Sequence, residues 1–218
     1  MALNAAGQIS LAGTTVGQSI ACELGCSGTG QIDINRADAR TLAGVASGQI
    51  GFSSFYGKSS GPTILGQVYG GGYYTGVINA GVGSYYVSVA PNASGCAAGC
   101  IWKTTRTSTA GTTSLVDGYS NTWGPLNNAT HPAGNFCATR SIGGFADWYL
   151  PAKDELNTMY VNSGSMPAGE GYAPNNHWAS NETVATAACL DFFATGVFYS
   201  YSKICTNVCT RAVRRSPI

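Results

Sequence analysis

The sequence predicts an α+β protein, with a small N-terminal module over residues 1–60 followed by a larger domain over residues 61–218. First, short stretches in which apolar and polar residues alternate, as in strands, flank two stretches with the helical spacing of apolar residues. Second, glycine makes up 30 of the 218 residues, which favours short elements joined by turns. Third, the composition of the chain changes at a polar, Gly- and Ser-rich segment over residues 53–62.

The amino-acid composition excludes several classes of protein. Only 10% of the residues are charged, against roughly 25% in an average soluble domain, and the net charge is +1. These values exclude a broad basic surface for nucleic acid or anionic lipid. Apolar residues make up 44% of the chain, which is too many for a disordered protein. We therefore expect a folded protein that stays soluble on Ser, Thr and Asn side chains, as extracellular or particle-bound proteins do.

The N-terminal module contains three copies of the pattern Gly-Gln-Ile-x-apolar. They begin at Gly7, Gly30 and Gly48. Each copy predicts a short strand or an extended arm. A helix is expected after the second copy, capped by Asn35, with Leu42 facing inward and Gly44 at its end. Such short pieces make a weak independent core, so we expect this module to attach to partner chains.

The larger domain is predicted to begin with strands at residues 67–69, 73–78 and 84–89. A long polar segment follows over residues 90–127, and segments of this length without regular structure are typical of functional loops. Another polar loop is expected over residues 162–176. The last part of the chain alternates again, which predicts strands at residues 187–193, 197–201 and 210–214.

Two helices are expected between these loops. The first runs from Thr130 to Gly143, with Pro132 at its opening turn. The second opens at Pro151 and carries Asp154 and Glu155 in its first turn, near the positive end of the helix dipole. Its apolar stripe consists of Leu156, Met159 and Tyr160.

The chain has eight cysteines, which could form disulfides, bind zinc or remain free thiols. Three pairs share a spacing of four residues, namely Cys22/Cys26, Cys96/Cys100 and Cys205/Cys209. Cys137 and Cys189 remain. We expect disulfides, most simply three local bridges plus Cys137–Cys189; zinc binding and free thiols are the alternatives.

The start of the chain has neither a basic flank nor an apolar stretch, so we expect no signal peptide. No run approaches the roughly 20 apolar residues of a membrane-spanning helix. Disulfides without an export signal are unusual in a cellular protein. They are natural in a virion protein that is made in the cytosol and exposed after lysis.

Residues 143–160 (GGFADWYLPAKDELNTMY) resemble the signature of a C-type-lectin-like adhesin domain. This domain occurs in bacterial collagen-like adhesins and in tail-fibre and virion proteins of tailed phages. Further matches, in the order of the family, are residues 66–74 (GQVYGGGYY), 177–182 (HWASNE) and 210–218 (TRAVRRSPI). Residues 1–60 resemble an N-terminal module of phage tail proteins, mainly through residues 38–45 and 47–58. The Cys22/Cys26 and Cys205/Cys209 pairs are not part of these patterns.

The resemblance implies a compact α+β head, often trimeric, that presents a variable loop surface to a receptor. The spacing of the motif predicts that its large side chains are structural rather than ligand contacts. These core residues are Trp148, Leu150, Pro151, Leu156 and Met159. Aromatic rings stack on sugars, and the two long loops offer such rings beside Asn and Thr. The predicted receptor-binding anchors are Trp102, Tyr119, Trp123 and Tyr172.

The charged and nucleophilic residues indicate a function less clearly than the aromatic residues do. Arg211, Arg214 and Arg215 are candidates for an anionic glycan, but we expect Arg214 to pair with an acid such as Asp147, Asp154 or Glu155. Cys137 with His177 is the conceivable nucleophilic pair, and no motif of a known catalytic machinery accompanies it. The acids are too scattered for a calcium site. We expect no enzyme activity, no metal and no cofactor.

The sequence thus predicts a phage virion protein, a tail-fibre or baseplate-attached adhesin that recognises host cell-surface saccharide. We expect a homotrimer that contacts other tail, baseplate or virion proteins through residues 1–60, without nucleic acid binding or membrane insertion. The second hypothesis is a purely structural virion component, such as a decoration, neck or fibre-packing protein. The third is an enzyme that modifies the host surface.

Overall fold

The computed structural model describes residues 3–6, 8–12, 17–24, 33–58, 61–172 and 176–218. The chain divides into two compact units, Met1–Gly61 and Pro62–Ile218, here called the N-terminal and C-terminal units. Helices and antiparallel sheets are both present, so the predicted α+β class is confirmed. Within the described ranges, no helix is long and apolar enough to cross a bilayer.

The N-terminal unit is built from short helices around a small core. They are α1 (Ile20–Glu23), α2 (Ala37–Ala43) and a 3-10 turn (Phe52–Phe55). As predicted, α2 ends at Gly44, whose φ of 70° lies in the left-handed region. Its N-cap residue is Arg36 rather than the predicted Asn35. The buried apolar side chains are Leu3, Ile20, Ala39, Leu42, Ala43 and Phe55.

The repeated Gly-Gln-Ile pattern does not form the predicted strands where the structure describes it. The first copy contributes a single bridge between Ser10 and Ser19. The third copy is irregular and runs into the 3-10 turn, because Gly48 has a φ of 86° that interrupts an extended chain. Residues 30–32 of the second copy lie outside the described residues, as does Cys26.

The C-terminal unit contains antiparallel sheets. The largest described sheet comprises β1 (Val68–Tyr69), β2 (Gly72–Asn79), β3 (Ser84–Val89) and β9 (Val213–Pro217), in the order β1-β2-β3-β9. A second sheet has the order β5-β6-β7, formed by Asn176–Val184, Ala187–Phe192 and Val197–Ser202. A small ladder pairs β4 (Cys96–Ala97) with β8 (Thr210–Arg211). Because β9 pairs with β3, the last strand returns to the start of the unit.

Short helices surround these sheets. They are α3 (Asn92–Gly95), α4 (Gly118–Asn121), a π-type turn (Thr122–Leu126), α5 (Pro132–Ala138), α6 (Lys153–Val161) and a 3-10 turn (Ser163–Ser165). The segment 90–127 is therefore not a structureless loop. The helix predicted at residues 130–143 is shorter than expected and ends at Ala138. Just after this end, the hydroxyl of Thr139 donates a hydrogen bond to the carbonyl of Asn135 at 2.8 Å. The prediction from sequence did not include β5.

Two apolar clusters form the core of the C-terminal unit. Tyr149 bridges β9 by backbone hydrogen bonds to Val213, at 2.8 and 2.9 Å. Since successive side chains of an extended chain point to opposite sides, Trp148 and Leu150 enter one cluster and Tyr149 enters the other, together with Leu156 and Met159. All five side chains are fully buried. Pro151, at the end of this segment, is buried as well.

The predicted bridges Cys96–Cys100, Cys205–Cys209 and Cys137–Cys189 are not formed, and the predicted Cys22–Cys26 bridge involves Cys26, which lies outside the described residues. Cys96, Cys100, Cys137, Cys189, Cys205 and Cys209 are free thiols in the structure. The proposed pair of Cys137 and Cys189 is wrong, because Cys137 lies in the cluster of Trp148 and Cys189 lies in the cluster of Tyr149.

Candidate functional site

The sheet β5-β6-β7 carries an open groove of about 300 Å³ on one face. Its lining residues are Asn176, Leu190, Phe192, Tyr199, Ser200 and Tyr201. The strand register explains why they meet: Asn176 lies opposite Phe192, and Leu190 lies opposite Tyr199. Tyr199 and Tyr201 are two residues apart on β7, so their side chains share a face. The groove therefore presents two tyrosine rings in a row.

Tyr199 is 49% exposed, more than any other aromatic side chain among the described residues. Tyr201 is half-buried and packs on Trp178, with ring centroids 6.4 Å apart, so the inner end of the groove is fixed to the core. The amide oxygen Oδ1 of Asn176 is buried and has no hydrogen-bond partner among the described residues. An exposed flat ring and an amide side chain in the same groove match a ligand with an apolar face and hydroxyl groups.

A second depression, of about 380 Å³, lies at the other end of strands β6 and β7. It is lined by Arg106, Thr186, Ala187 and Ser202. The hydroxyl of Ser202 is also buried without a partner in the described part of the chain. Two concave surfaces therefore lie along β7. The one on its face is lined by aromatic rings, and the one at its end is lined by the guanidinium group of Arg106.

Of the four predicted anchors, Trp102 is a core residue, and its prediction as a receptor contact is wrong. It is fully buried, and its indole Nε1 donates to the carbonyl of Ala179 at 2.9 Å. The ring of His131 packs edge-on against it, and Lys203 Nζ lies 4.8 Å from its ring centroid. No face of the indole remains for a ligand.

The other three anchors are half-buried at the margin of the Tyr149 cluster. Tyr119 packs against Trp123 and Tyr149, with centroid distances of 6.0 and 5.7 Å. Tyr172 packs on Phe193 at 4.7 Å, and burial raises the pKa of its phenol. The structure therefore does not gather the predicted anchors on the face of β7, where the most exposed ring lies.

The three arginines of the closing segment are held by internal partners. Arg214 pairs with Asp147 at 2.6 Å, which confirms the predicted ion pair. Arg211 is buried, donates to the carbonyl of Ala90 at 2.6 Å and pairs with Glu170 at 3.2 Å. Arg215 pairs with Asp117 at 2.8 Å and lies between the rings of Tyr85 and Tyr119. These contacts make the arginines structural rather than a glycan grip.

A buried charge cluster, Lys103, His131, Glu182 and Lys203, orders the loop over residues 103–112. Lys103 Nζ donates to the carbonyls of Thr107 and Ser108, at 3.1 and 2.8 Å. Glu182 accepts from the backbone N–H of Thr109 at 2.6 Å and pairs with Lys203 at 2.5 Å. The loop thus obtains its hydrogen bonds from buried charges, next to the depression lined by Arg106.

His131 makes the C-terminal unit sensitive to acid. Burial and the charges of Lys103 and Lys203 lower its pKa from 6.5 to about 4. Between pH 6.5 and pH 4, His131 is therefore protonated in the unfolded chain but neutral in the folded chain. As a result, the free energy of unfolding falls as pH drops from about 6.5 to about 4. Relative to His131→Gln, we expect the wild type to lose roughly 1–3 kcal/mol over this range. Urea unfolding at pH 7, 5.5 and 4.5 measures the difference, and parallel curves for the two proteins would contradict it.

The conceivable catalytic pair shows no activation of its thiol. Cys137 is fully buried, and burial raises the pKa of its thiol well above the usual value, so it is protonated at neutral pH. His177 is buried and packs on the rings of Tyr172 and Phe193. Among the described residues, no group of three or more His, Cys, Asp or Glu side chains is arranged to hold a metal ion.

Comparison of the sequence with models of known protein families gives no match, and no curated protein matches it.

Proposed function

We propose that this chain is a virion protein of a tailed phage and that its C-terminal unit is a head that binds host-surface saccharide. The observation that carries the proposal is the open groove on β7, which is lined by the exposed ring of Tyr199 and by the amide side chain of Asn176. The resemblance of residues 63–218 to C-type-lectin-like adhesin domains supports the same function. Residues 1–60 attach the protein to other tail or baseplate proteins, and a homotrimer presents three heads.

The binding mode follows from the chemistry of the groove. The apolar face of a sugar ring stacks on Tyr199, and the half-buried amide side chain of Asn176 hydrogen-bonds a hydroxyl group of the sugar. Such a small, open site binds weakly by itself. Repetition in a trimer and over the particle raises the avidity, and the protein acts by binding without turnover.

Replacing Tyr199 by alanine tests this function. We expect Tyr199→Ala to weaken binding of the purified protein to host cells by about 5- to 150-fold, the loss of roughly 1–3 kcal/mol typical of an aromatic anchor. The midpoint of thermal unfolding should change little, because the ring is half exposed. Binding is measured by titrating labelled protein onto host cells, with competition by cell-wall or capsular saccharide.

Leu115→Ala is the matched control, since Leu115 is also 49% exposed but does not line the groove. This variant should bind as the wild type does. If a folded Tyr199→Ala protein retains full binding, the groove is not the receptor site.

A purely structural role in the particle is the second candidate, and the position of β7 favours it. In the described residues β7 pairs only with β6, so its other edge has no strand partner. It also exposes Val197 and Tyr199. Proteins cover such apolar edges, often with a neighbouring chain. Normal host-cell binding of Tyr199→Ala combined with poor incorporation into particles would favour this role.

A further inference from the structure

Four thiols from three chain segments lie together in the C-terminal unit. The ladder between β4 and β8 places Cys96 opposite Arg211 and Ala97 opposite Thr210. Continued by one step, this antiparallel register places Cys209 diagonally across from Cys96, on the same face of the ladder. The two Cys-x3-Cys pairs at residues 96–100 and 205–209 therefore face each other instead of standing alone.

Helix α5 brings a fourth thiol to the same place. The backbone N–H of Ala133 donates to the carbonyl of Ile101 at 3.1 Å, which fixes α5 beside the residue that follows Cys100. Cys137, one turn further along α5, lies in the buried cluster against which Cys100 packs.

Trp178 holds the two facing segments together. Its indole Nε1 donates to the carbonyl of Cys100 at 2.7 Å, and its backbone N–H donates to the carbonyl of Cys209 at 3.0 Å.

The electrostatics of the thiols indicate which of them are neighbours. Burial raises the pKa of Cys137, and among the other thiols Cys100 has the largest effect on it. Burial also raises the pKa of Cys209, and there the thiol with the largest effect is Cys96. Burial also raises the pKa of Cys100. Cys96 and Cys100 thus each lie near enough to affect both Cys137 and Cys209.

We propose that this cluster is a redox site that closes two disulfides between segments, Cys100–Cys137 and Cys96–Cys209. The oxidant is a small disulfide of the oxidised glutathione class. The thiolate of half-buried Cys100 attacks it, forms a mixed disulfide and releases one thiol; the sulfur of Cys137 then displaces the second thiol and loses its proton. Cys96 and Cys209 react in the same way. Each bridge costs the protein two electrons and two protons, which appear in the two thiols released.

The consequence of this connectivity is mechanical. A bridge within Cys96/Cys100 constrains only the three residues between its ends, whereas Cys96–Cys209 closes a loop of more than a hundred residues and Cys100–Cys137 ties α5 to the β4 segment. We expect oxidation to raise the midpoint of thermal unfolding of the C-terminal unit by about 10 °C. This reaction does not depend on the binding function proposed above, and it is tested without a receptor.

The test uses the full-length protein, reduced and then equilibrated with mixtures of reduced and oxidised glutathione. Free thiols are alkylated, and the digest is examined by mass spectrometry. We expect one species of three cross-linked peptides, in which the peptide that carries Cys96 and Cys100 is joined both to the peptide of residues 205–209 and to the peptide of Cys137. Cys189 should be alkylated throughout, so Cys189→Ser is the matched control and should leave both bridges intact.

Single variants assign the bridges, because neither Cys-x3-Cys pair contains a Lys or Arg between its cysteines for tryptic cleavage. Cys96→Ser and Cys209→Ser should each remove the first bridge and leave the second, and Cys100→Ser should do the reverse. Cys100 is half-buried, so this variant keeps the test available if Cys137→Ser fails to fold. Local bridges within either pair, complete alkylation of all four thiols under oxidising conditions, or stoichiometric zinc that protects them would each overturn the proposal.

Discussion

Glu155→Ala is expected to destabilise the C-terminal unit by about 3 kcal/mol or more. The Glu155 carboxylate is fully buried and accepts three hydrogen bonds, from the hydroxyl of Tyr149 at 2.6 Å and from the backbone N–H groups of Ala152 and Gly118, at 2.8 and 3.1 Å. Alanine leaves all three donors buried without an acceptor. The bond to Ala152 is also the one that a capping box forms at the start of a helix, so α6 loses its N-terminal support.

Gly118→Ala is a second test of the same contact. A Cβ atom on Gly118 would lie 2.5 Å from Glu155 Oε2 and 2.6 Å from the carbonyl of Leu150. The residue at position 118 must therefore be glycine for its N–H to reach the carboxylate. We expect Gly118→Ala to destabilise the unit as well, and chemical denaturation of both variants measures the loss. A cost below 1 kcal/mol for Glu155→Ala would show that the network contributes little.

The pH dependence separates the charge of Glu155 from its packing. Burial raises its pKa from 4.5 to about 7, although the hydrogen bond from Tyr149 acts in the opposite direction. The folded chain therefore takes up a proton at higher pH than the unfolded chain, and the free energy of unfolding rises as pH falls from about 7 to about 4.5. Glu155→Gln should lack this gain. His131 acts in the opposite sense over an overlapping range, so each effect is read from the difference between wild type and its own variant.

The sequence predicted the regular parts of the C-terminal unit because their patterns are local. Strands β2 and β3 alternate clearly, and the start of α6 follows from Pro151 and the apolar stripe of Leu156 and Met159. The strand β5 was missed because its middle is polar yet buried. Asn181 there accepts from the backbone N–H of Lys153 at 2.8 Å, and Ser180 accepts from Asn121 at 2.9 Å. Polar residues satisfied by distant partners hide the strand pattern.

The candidate site was harder to predict than the fold. Alternation along residues 197–201 places Tyr199 and Tyr201 on one face, but only the pairing of β7 with β6 shows that this face opens into a groove. Trp102 was assigned to a ligand because it stands in a polar segment, and a partner 77 residues away, Ala179, buries its indole. The equal spacing of the cysteine pairs suggested local bridges, whereas the β4–β8 ladder brings the pairs opposite each other. In each case the decisive contact is distant in sequence.

Lys203→Met tests the buried charges, which sequence patterns do not predict, since lysine is rarely buried unless it is paired. Its side chain is completely inaccessible, and its Nζ donates to the carbonyl of Thr107 at 2.9 Å in addition to pairing with Glu182. Methionine preserves most of the packing against Trp102 but removes the charge. We expect a loss of about 3–5 kcal/mol, because Glu182 is left as a largely buried carboxylate without its cation.

The double variant Lys203→Met/Glu182→Gln decides whether the unpaired charge causes this loss. In the wild type, burial acts to raise the pKa of Glu182, but the hydrogen bonds from Lys203, Ser108 and Thr109 together with the charge of Lys203 outweigh it, so the pKa is lowered. Without Lys203, only the hydrogen bonds from Ser108 and Thr109 oppose the effect of burial on the carboxylate, so the single variant should recover part of its stability as the solution is acidified. Glutamine removes the charge at any pH and should restore much of the stability at pH 7, a coupling that a double-mutant cycle measures by urea unfolding. If the double variant is as unstable as the sum of its parts, Lys203 acts through its contacts with Thr107 and Trp102, which hold the 103–112 loop against the sheet.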